Sequence, residues 1–123
     1  MSKKVLSLGQ CGADDYAITQ FLGGAFSAEV VSADTAAEAL VLLREDQFAL
    51  VLVNRLFDAD GDSGLAFISQ LKEDPALAGV SVMLVSNYPD VQKQAEARGA
   101  LPGFGKAGLG QPQTLARLKV ALS

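Results

Sequence analysis

The stretch that decides the fold is FALVLVN, residues 48–54. Its apolar residues run without a polar interruption up to Asn54 and are mostly bulky or β-branched, which matches a strand whose two faces are both covered by helices. Further strand-like stretches, with polar residues among their apolar ones, recur at residues 5–8, 29–32 (Val30 and Val31) and 80–85. Between them, apolar residues return at helical spacing.

The helices are bounded by local signals. Asp14 and Asp15 suit a helix N-terminus, Ile18, Phe21 and Leu22 continue it, and Gly23 and Gly24 are expected to stop it. Thr35-Ala-Ala-Glu38 has the spacing of a capping box and opens a helix striped by Ala36, Ala39, Leu40 and Leu43, ending near Asp46. Leu65, Ile68 and Leu71 mark a third helix that ends before Pro75. Pro89 opens a fourth, mostly polar helix with Val91 and Ala95 on its thin apolar stripe and Gly99 as terminator. Residues 101–106 read as a fifth strand, pushed to a sheet edge by Pro102, Gly103 and Gly105. Pro112 opens a last helix with Leu115, Leu118, Ala121 and Leu122 on its buried face.

Five strand-then-helix units with short connections predict a single α/β domain over residues 1–123, a doubly wound parallel sheet with helices on both faces. Binding sites of such sheets lie beyond the carboxyl ends of the strands. Here those positions are Gly9, Gln10, Asn54, Ser86 and Lys106.

Composition narrows the function. Ten Lys plus Arg against fourteen Asp plus Glu gives a net charge of -4 and no basic surface, so nucleic acid is not an expected partner. The chain has no histidine, which removes the commonest general base and transition-metal ligand. Its one cysteine, Cys11, cannot form an internal disulfide, and MSKKVLSLG lacks the pattern of a secretory signal, so a reducing, cytoplasmic setting is expected. No apolar run approaches the roughly 20 residues that cross a bilayer, and no membrane association is expected.

Several anchors together resemble the receiver domain of two-component response regulators, the CheY-like fold, over essentially the whole chain. Asn54 ends the central strand where that family places its phosphoacceptor aspartate. Ser86, in VMLVSN, stands where it has Thr or Ser, and Lys106, closing GALPGFGK, stands at its lysine. ADTAAEAL resembles the start of its second helix, and Gly64-Leu65 resembles the opening of its third. The resemblance implies a flavodoxin-like five-stranded sheet in the order 2-1-3-4-5 with five helices.

The departures decide the expected function. Receivers hold Mg²⁺ with two acids at the end of the first strand, and Gly9 and Gln10 occupy those positions here. Neither supplies the charged oxygen that a hard cation prefers, and Asn54 has an amide where an acyl phosphate needs an anionic oxygen. The aromatic switch position falls on Gly103, with Phe104 one residue later, and Ala107 stands where a proline normally follows the lysine. The loop RLFDADGDSG is about two residues longer than in a typical receiver and lacks its usual proline. The expectation is a phosphorylation-independent, non-enzymatic interaction module in signalling, without Mg²⁺, Ca²⁺ or another cofactor. Its partners would be proteins, a histidine kinase or an output protein, or a second copy of itself. By resemblance they would use the face of the fourth helix, fifth strand and fifth helix, with Tyr88, Val91, Phe104 and Leu109 as contacts.

Other readings concern the same region. Lys106 is expected to donate to the Asn54 amide oxygen with Ser86 nearby, or to attract an anion such as phosphate, which would make the chain a small-anion-binding flavodoxin-like module. Asp58, Asp60 and Asp62 alternate like the first ligands of a calcium loop, but Ser63 and Ser69 replace its glycine and its bidentate glutamate. They are also the acids from which a Mg²⁺ site could be rebuilt in a switchable receiver. The blander expectation is a solvated loop that caps the third helix through Asp62 or Ser63. Cys11 is read as a packed thiol without a nearby partner. Phe57 is read as an exposed anchor in a polar loop.

Overall fold

The computed structural model describes residues 3–122. Five strands, β1 (Lys4–Leu8), β2 (Glu29–Ala33), β3 (Leu50–Asn54), β4 (Val82–Val85) and β5 (Leu101–Phe104), alternate with α1 (Gly12–Phe26), α2 (Ala36–Glu45), α3 (Gly64–Glu73), α4 (Pro89–Ala97) and α5 (Pro112–Ala121). All strand pairs are parallel, in the order β2-β1-β3-β4-β5. This is the flavodoxin-like arrangement expected from the sequence.

The two-residue strand period divides the core in two. Leu6, Leu8, Val51, Val53, Val82 and Leu84 pack on α2, α3 and α4 through Leu43, Ile68, Leu71 and Ala95. Val5, Leu50, Leu52, Met83 and Val85 pack on α1 and α5 through Ile18, Leu22, Leu118 and Leu122. The side chains of β3 are therefore divided between both faces, and no polar residue interrupts it before Asn54. The Thr35 cap forms as read, its Oγ1 accepting the Glu38 N–H at 3.2 Å, and Ser63 Oγ accepts the Ala66 N–H at the start of α3.

Several boundaries differ from the sequence reading: β3 begins at Leu50 rather than Phe48 and β4 at Val82 rather than Val80. α1 runs through Gly23 and Gly24 and stops only at Ser27, in the left-handed region with φ 53°. Each glycine costs a helix about 1 kcal/mol relative to alanine. The burial of Ile18 and Leu22 and the edge-to-face contact of Phe21 with Phe26 outweigh that cost. β5 ends at Phe104, so Lys106 lies past the strand in a short 3₁₀ turn, Lys106–Gly108.

β5 is also irregular. Met83 pairs with Leu101 and Val85 with Phe104, so β5 carries one extra residue, a bulge around Pro102 and Gly103. Side chains repair the interrupted ladder. Gln92 of α4 donates from Nε2 to the Leu84 and Ser86 carbonyls at 2.8 and 3.1 Å, and its Oε1 accepts the Gly103 N–H at 3.3 Å. Arg117 of α5 donates to the Gly103 carbonyl. A Cβ on residue 103 would lie 2.2 Å from the Leu84 oxygen, so the position expected to hold an aromatic switch admits no side chain without moving β4 or β5. Gln92→Ala would leave several buried backbone groups without partners and should lower the unfolding free energy by about 1–3 kcal/mol. Urea denaturation with an unchanged midpoint would refute this.

Candidate functional site

The site lies at the carboxyl ends of the strands and begins with Gly9, which follows β1 at φ 77°. A Cβ there would lie 2.4 Å from Phe57 Cδ1 and 3.1 Å from the Phe57 Cα, so both backbone angle and space require glycine. Phe57 is 2% exposed and meets Phe67 edge to face at 6.5 Å. The polar loop between β3 and α3 thus turns its one aromatic residue inward, and Phe57 is not an exposed anchor. Backbone bonds hold it there: Phe57 N–H to the Asp62 oxygen at 2.9 Å, Gly61 N–H to the Phe57 oxygen at 2.7 Å, and Asp58 N–H to the Gly9 oxygen at 3.0 Å. An isolated antiparallel bridge joins Leu56 to Ser63.

Asn54 is bonded at both ends of its amide. Nδ2 donates to the Gly9 oxygen at 3.0 Å and the Leu56 oxygen at 2.8 Å, while Oδ1 accepts the Arg55 N–H at 3.0 Å. Lys106 does not donate to it, contrary to the sequence reading. Its Nζ pairs with Asp14 Oδ2 at 2.5 Å, an ion pair made across the sheet edge to the first turn of α1. The 3₁₀ turn that carries Lys106 beyond β5 is what redirects it. The same carboxylate oxygen accepts from Cys11 Sγ at 3.1 Å, so Cys11 has the nearby partner that its sequence context did not reveal. The Lys106 hydrogen bond, and after it that of Cys11, hold the Asp14 carboxyl below the usual carboxylate range. Asp14 is the site residue that sequence reasoning missed: with Asp15 it read as a helix-terminal acid, and no local signal points it at a lysine 92 positions on.

Gln10 is buried, with its Nε2 3.5 Å from the Leu8 oxygen and its Oε1 unpartnered among the described residues. Ser86 is buried as well, its N–H donating to the Phe104 oxygen at 2.9 Å and its Oγ accepting the Tyr88 N–H at 3.2 Å. Asp58, Asp60 and Asp62 are exposed, and Asp60 Oδ1 accepts the Asp62 N–H at 3.0 Å, closing a local turn. Among the described residues no three His, Cys, Asp or Glu side chains converge to hold a metal ion.

Of the four expected contact residues, Tyr88 is 55% exposed, whereas Val91 and Leu109 are half-buried against the core. Phe104 is 5% exposed and belongs to the core under α1 and α5, so it is not a surface contact. The bulge rotates its ring inward. Arg55 sets its guanidinium 5.3 Å from the Tyr88 ring centroid. Together Asn54, Arg55, Leu56, Val85, Ser86, Asn87, Tyr88 and Lys106 line a cavity of about 280 Å³.

Two measurements check this geometry. Asn54→Asp would put an anionic oxygen against the Gly9 and Leu56 carbonyls in place of a donor, and should destabilise the fold by about 1–3 kcal/mol in urea titrations; equal stability would contradict the bonding described. Because the folded Asp14 pKa is depressed, its contribution to stability is present above the unfolded carboxylate value and is lost as pH falls through the folded value. Lys106→Gln should raise the Asp14 pKa toward the ordinary range in carboxyl-detected NMR titrations.

No family model matches the chain, and no curated protein matches it. Solved structures do. A protein from Chloroflexus aurantiacus J-10-fl described as a response regulator superposes with a TM-score of 0.87 at 16% identity, covering 99% of this chain and 98% of the other. The signal receiver domain of a DNA-binding response regulator from Colwellia psychrerythraea 34H gives 0.80 at 24% identity, covering 97% of each chain. A response regulator receiver protein from Pseudomonas putida gives 0.79 at 20% identity, covering 98% of each. The chain therefore has the CheY-like receiver fold.

Proposed function

We propose that this chain, on the receiver fold of two-component response regulators, acts as a protein-interaction module whose output does not depend on aspartyl phosphorylation. The observation that supports it is the Asn54 amide, bonded to the Gly9 and Leu56 carbonyls beneath a loop whose Phe57 is seated on Gly9. Phosphoryl transfer to a receiver needs an anionic acceptor and a divalent cation to neutralise developing charge. Here the acceptor position carries a neutral amide, and the first acid position has no room for any side chain.

Without catalytic groups, recognition becomes the function. The chain has no histidine, so any phosphohistidine chemistry belongs to a partner, and the partner class is a signalling protein such as a histidine kinase or an output protein. A second copy of the chain would use the same face. That face comprises α4, β5 and α5, where Gln92 and Arg117 tie both helices to the β5 bulge and Tyr88 and Val120 stand 55% and 77% exposed. A surface pinned from both sides suits constitutive binding better than switching.

Incubation with acetyl phosphate and Mg²⁺ should leave the intact mass unchanged, and a Mg²⁺ titration should produce no saturable amide shifts at Gly9, Gln10 or Asn54. A gain of one phosphoryl group, or saturable shifts at Asp58, Asp60 and Asp62, would instead establish a switch with a rebuilt metal site.

A further inference from the structure

A second cavity, of about 300 Å³, lies at the β5 edge of the sheet, near the amino-terminal ends of β4 and β5. It is lined by Met83, Leu101, Pro102, Ala116, Arg117 and Val120. Five of these side chains are apolar and the sixth is a guanidinium. Met83 is buried, while Val120 is the most exposed of the large apolar side chains among the described residues. Apolar surface arranged as a concavity and left in water is a driving force for binding, and the volume falls at the lower end of the range of small-molecule sites.

The one charged group is held in place. Arg117 reaches from α5 to the β5 bulge, where one of its nitrogens donates to the Gly103 carbonyl. A guanidinium has five N–H donors in a planar fork, so most of them remain for another acceptor. No ion pair among the described residues involves Arg117. The cation is therefore half-buried, fixed in orientation and uncompensated by an acid. Two features select the occupant. β5 is the outer strand of the sheet, but Pro102 lacks an N–H and the bulge interrupts the ladder, so a partner's strand would find no continuous row of groups to pair with. A wholly polar anion would leave the apolar lining unused. An apolar body ending in a carboxylate satisfies both, because carboxylate geometry matches the guanidinium fork.

We infer that this cavity reversibly binds a small apolar monocarboxylate of the size of a medium-chain fatty acid, with its tail against Met83, Leu101 and Val120 and its carboxylate on the Arg117 fork. Met83 suits such a floor, since an unbranched thioether adapts to tails of different shape. No covalent bond is made or broken and no metal takes part. Because Arg117 also holds the Gly103 carbonyl, occupancy is coupled to the bulge that joins β5 to α5. The inference does not rest on the proposed interaction role, because the lining stands whatever the chain's protein partners are.

The test is an amide NMR titration of the full chain with octanoate at fixed ionic strength, with acetate, 1-octanol and octylamine as controls. Saturable shifts at Leu101, Gly103, Ala116, Arg117 and Val120 are expected, and hexanoate should bind roughly fivefold or more weakly because two methylenes leave the cavity. Acetate, which lacks the tail, should not saturate, and octylamine, with the opposite charge, should bind about tenfold or more weakly than octanoate. Arg117→Gln should weaken octanoate by a similar factor. Since that change also removes a bond to Gly103, two exposed positions on α5 keep the test independent of the bulge: Ala116→Leu fills the cavity, and Val120→Glu sets a carboxylate beside it. Each should lower octanoate affinity about tenfold or more in a chain that keeps its dispersed amide spectrum. Octanol or octylamine binding as tightly as octanoate, unchanged affinity in Ala116→Leu, or linear shifts spread over the whole surface would each overturn the inference. With neither Mg²⁺, a phosphoryl donor nor a partner protein present, these outcomes are separate from those of the mass and Mg²⁺ measurements.

Discussion

The ring of Phe57 packed on the Cα of Gly9 is the contact around which the carboxyl edge of the sheet is organised. With no Cβ at position 9 the chain turns through positive φ, and its carbonyl becomes the common acceptor for the Asn54 amide at 3.0 Å and the Asp58 N–H at 3.0 Å. The ring, the turn and the amide form one packed unit. An acid introduced at position 9 would have to displace a side chain buried among Leu8, Val53 and Phe67 and strain the backbone. The turn at Gly9, the buried Phe57 ring and the Asn54 amide are therefore one packing arrangement rather than three independent features.

A second constraint acts at the β5 edge of the sheet. The extra residue in β5 breaks the ladder with β4, and unpaired backbone groups in a half-buried strand must find partners elsewhere. Gln92 supplies them from α4 and Arg117 from α5, so two helices and the edge strand are joined through side-chain hydrogen bonds as well as packing. The bulge also brings the chain out of the sheet before Lys106. That shortened strand, ending at Phe104, explains why Lys106 faces α1 and Asp14 rather than Asn54.

What was legible in the sequence follows from the range of the forces involved. The central strand, the Thr35 cap, the Ser63 cap and the proline-opened helices depend on neighbours within a few residues and form where read, except that the strand begins at Leu50 rather than Phe48. Gly23 and Gly24 mislead because local propensity favours a stop while the apolar contacts of Ile18 and Leu22 do not. Phe57 misleads for a related reason: polar residues around it suggest solvent, but its place is set by Gly9, 48 positions earlier. Asp14 read only as a helix-terminal acid and Arg55 carried no signal, since the partners that give them meaning, Lys106 and the Tyr88 ring, are distant in the chain.

Electrostatics connects these observations. At the carboxyl ends of β1 and β3, Gly9, Gln10 and Asn54 carry no charge and offer Lys106 no counterion. Asp14 supplies one from the first turn of α1, where a carboxylate is also favoured by the helix macrodipole. Arg55 adds a second cation next to the same cavity, and the face of Tyr88 rather than a carboxylate accommodates it. At this edge one cation, Lys106, is balanced by Asp14, and the other, Arg55, is held against the Tyr88 ring in the lining of the same cavity.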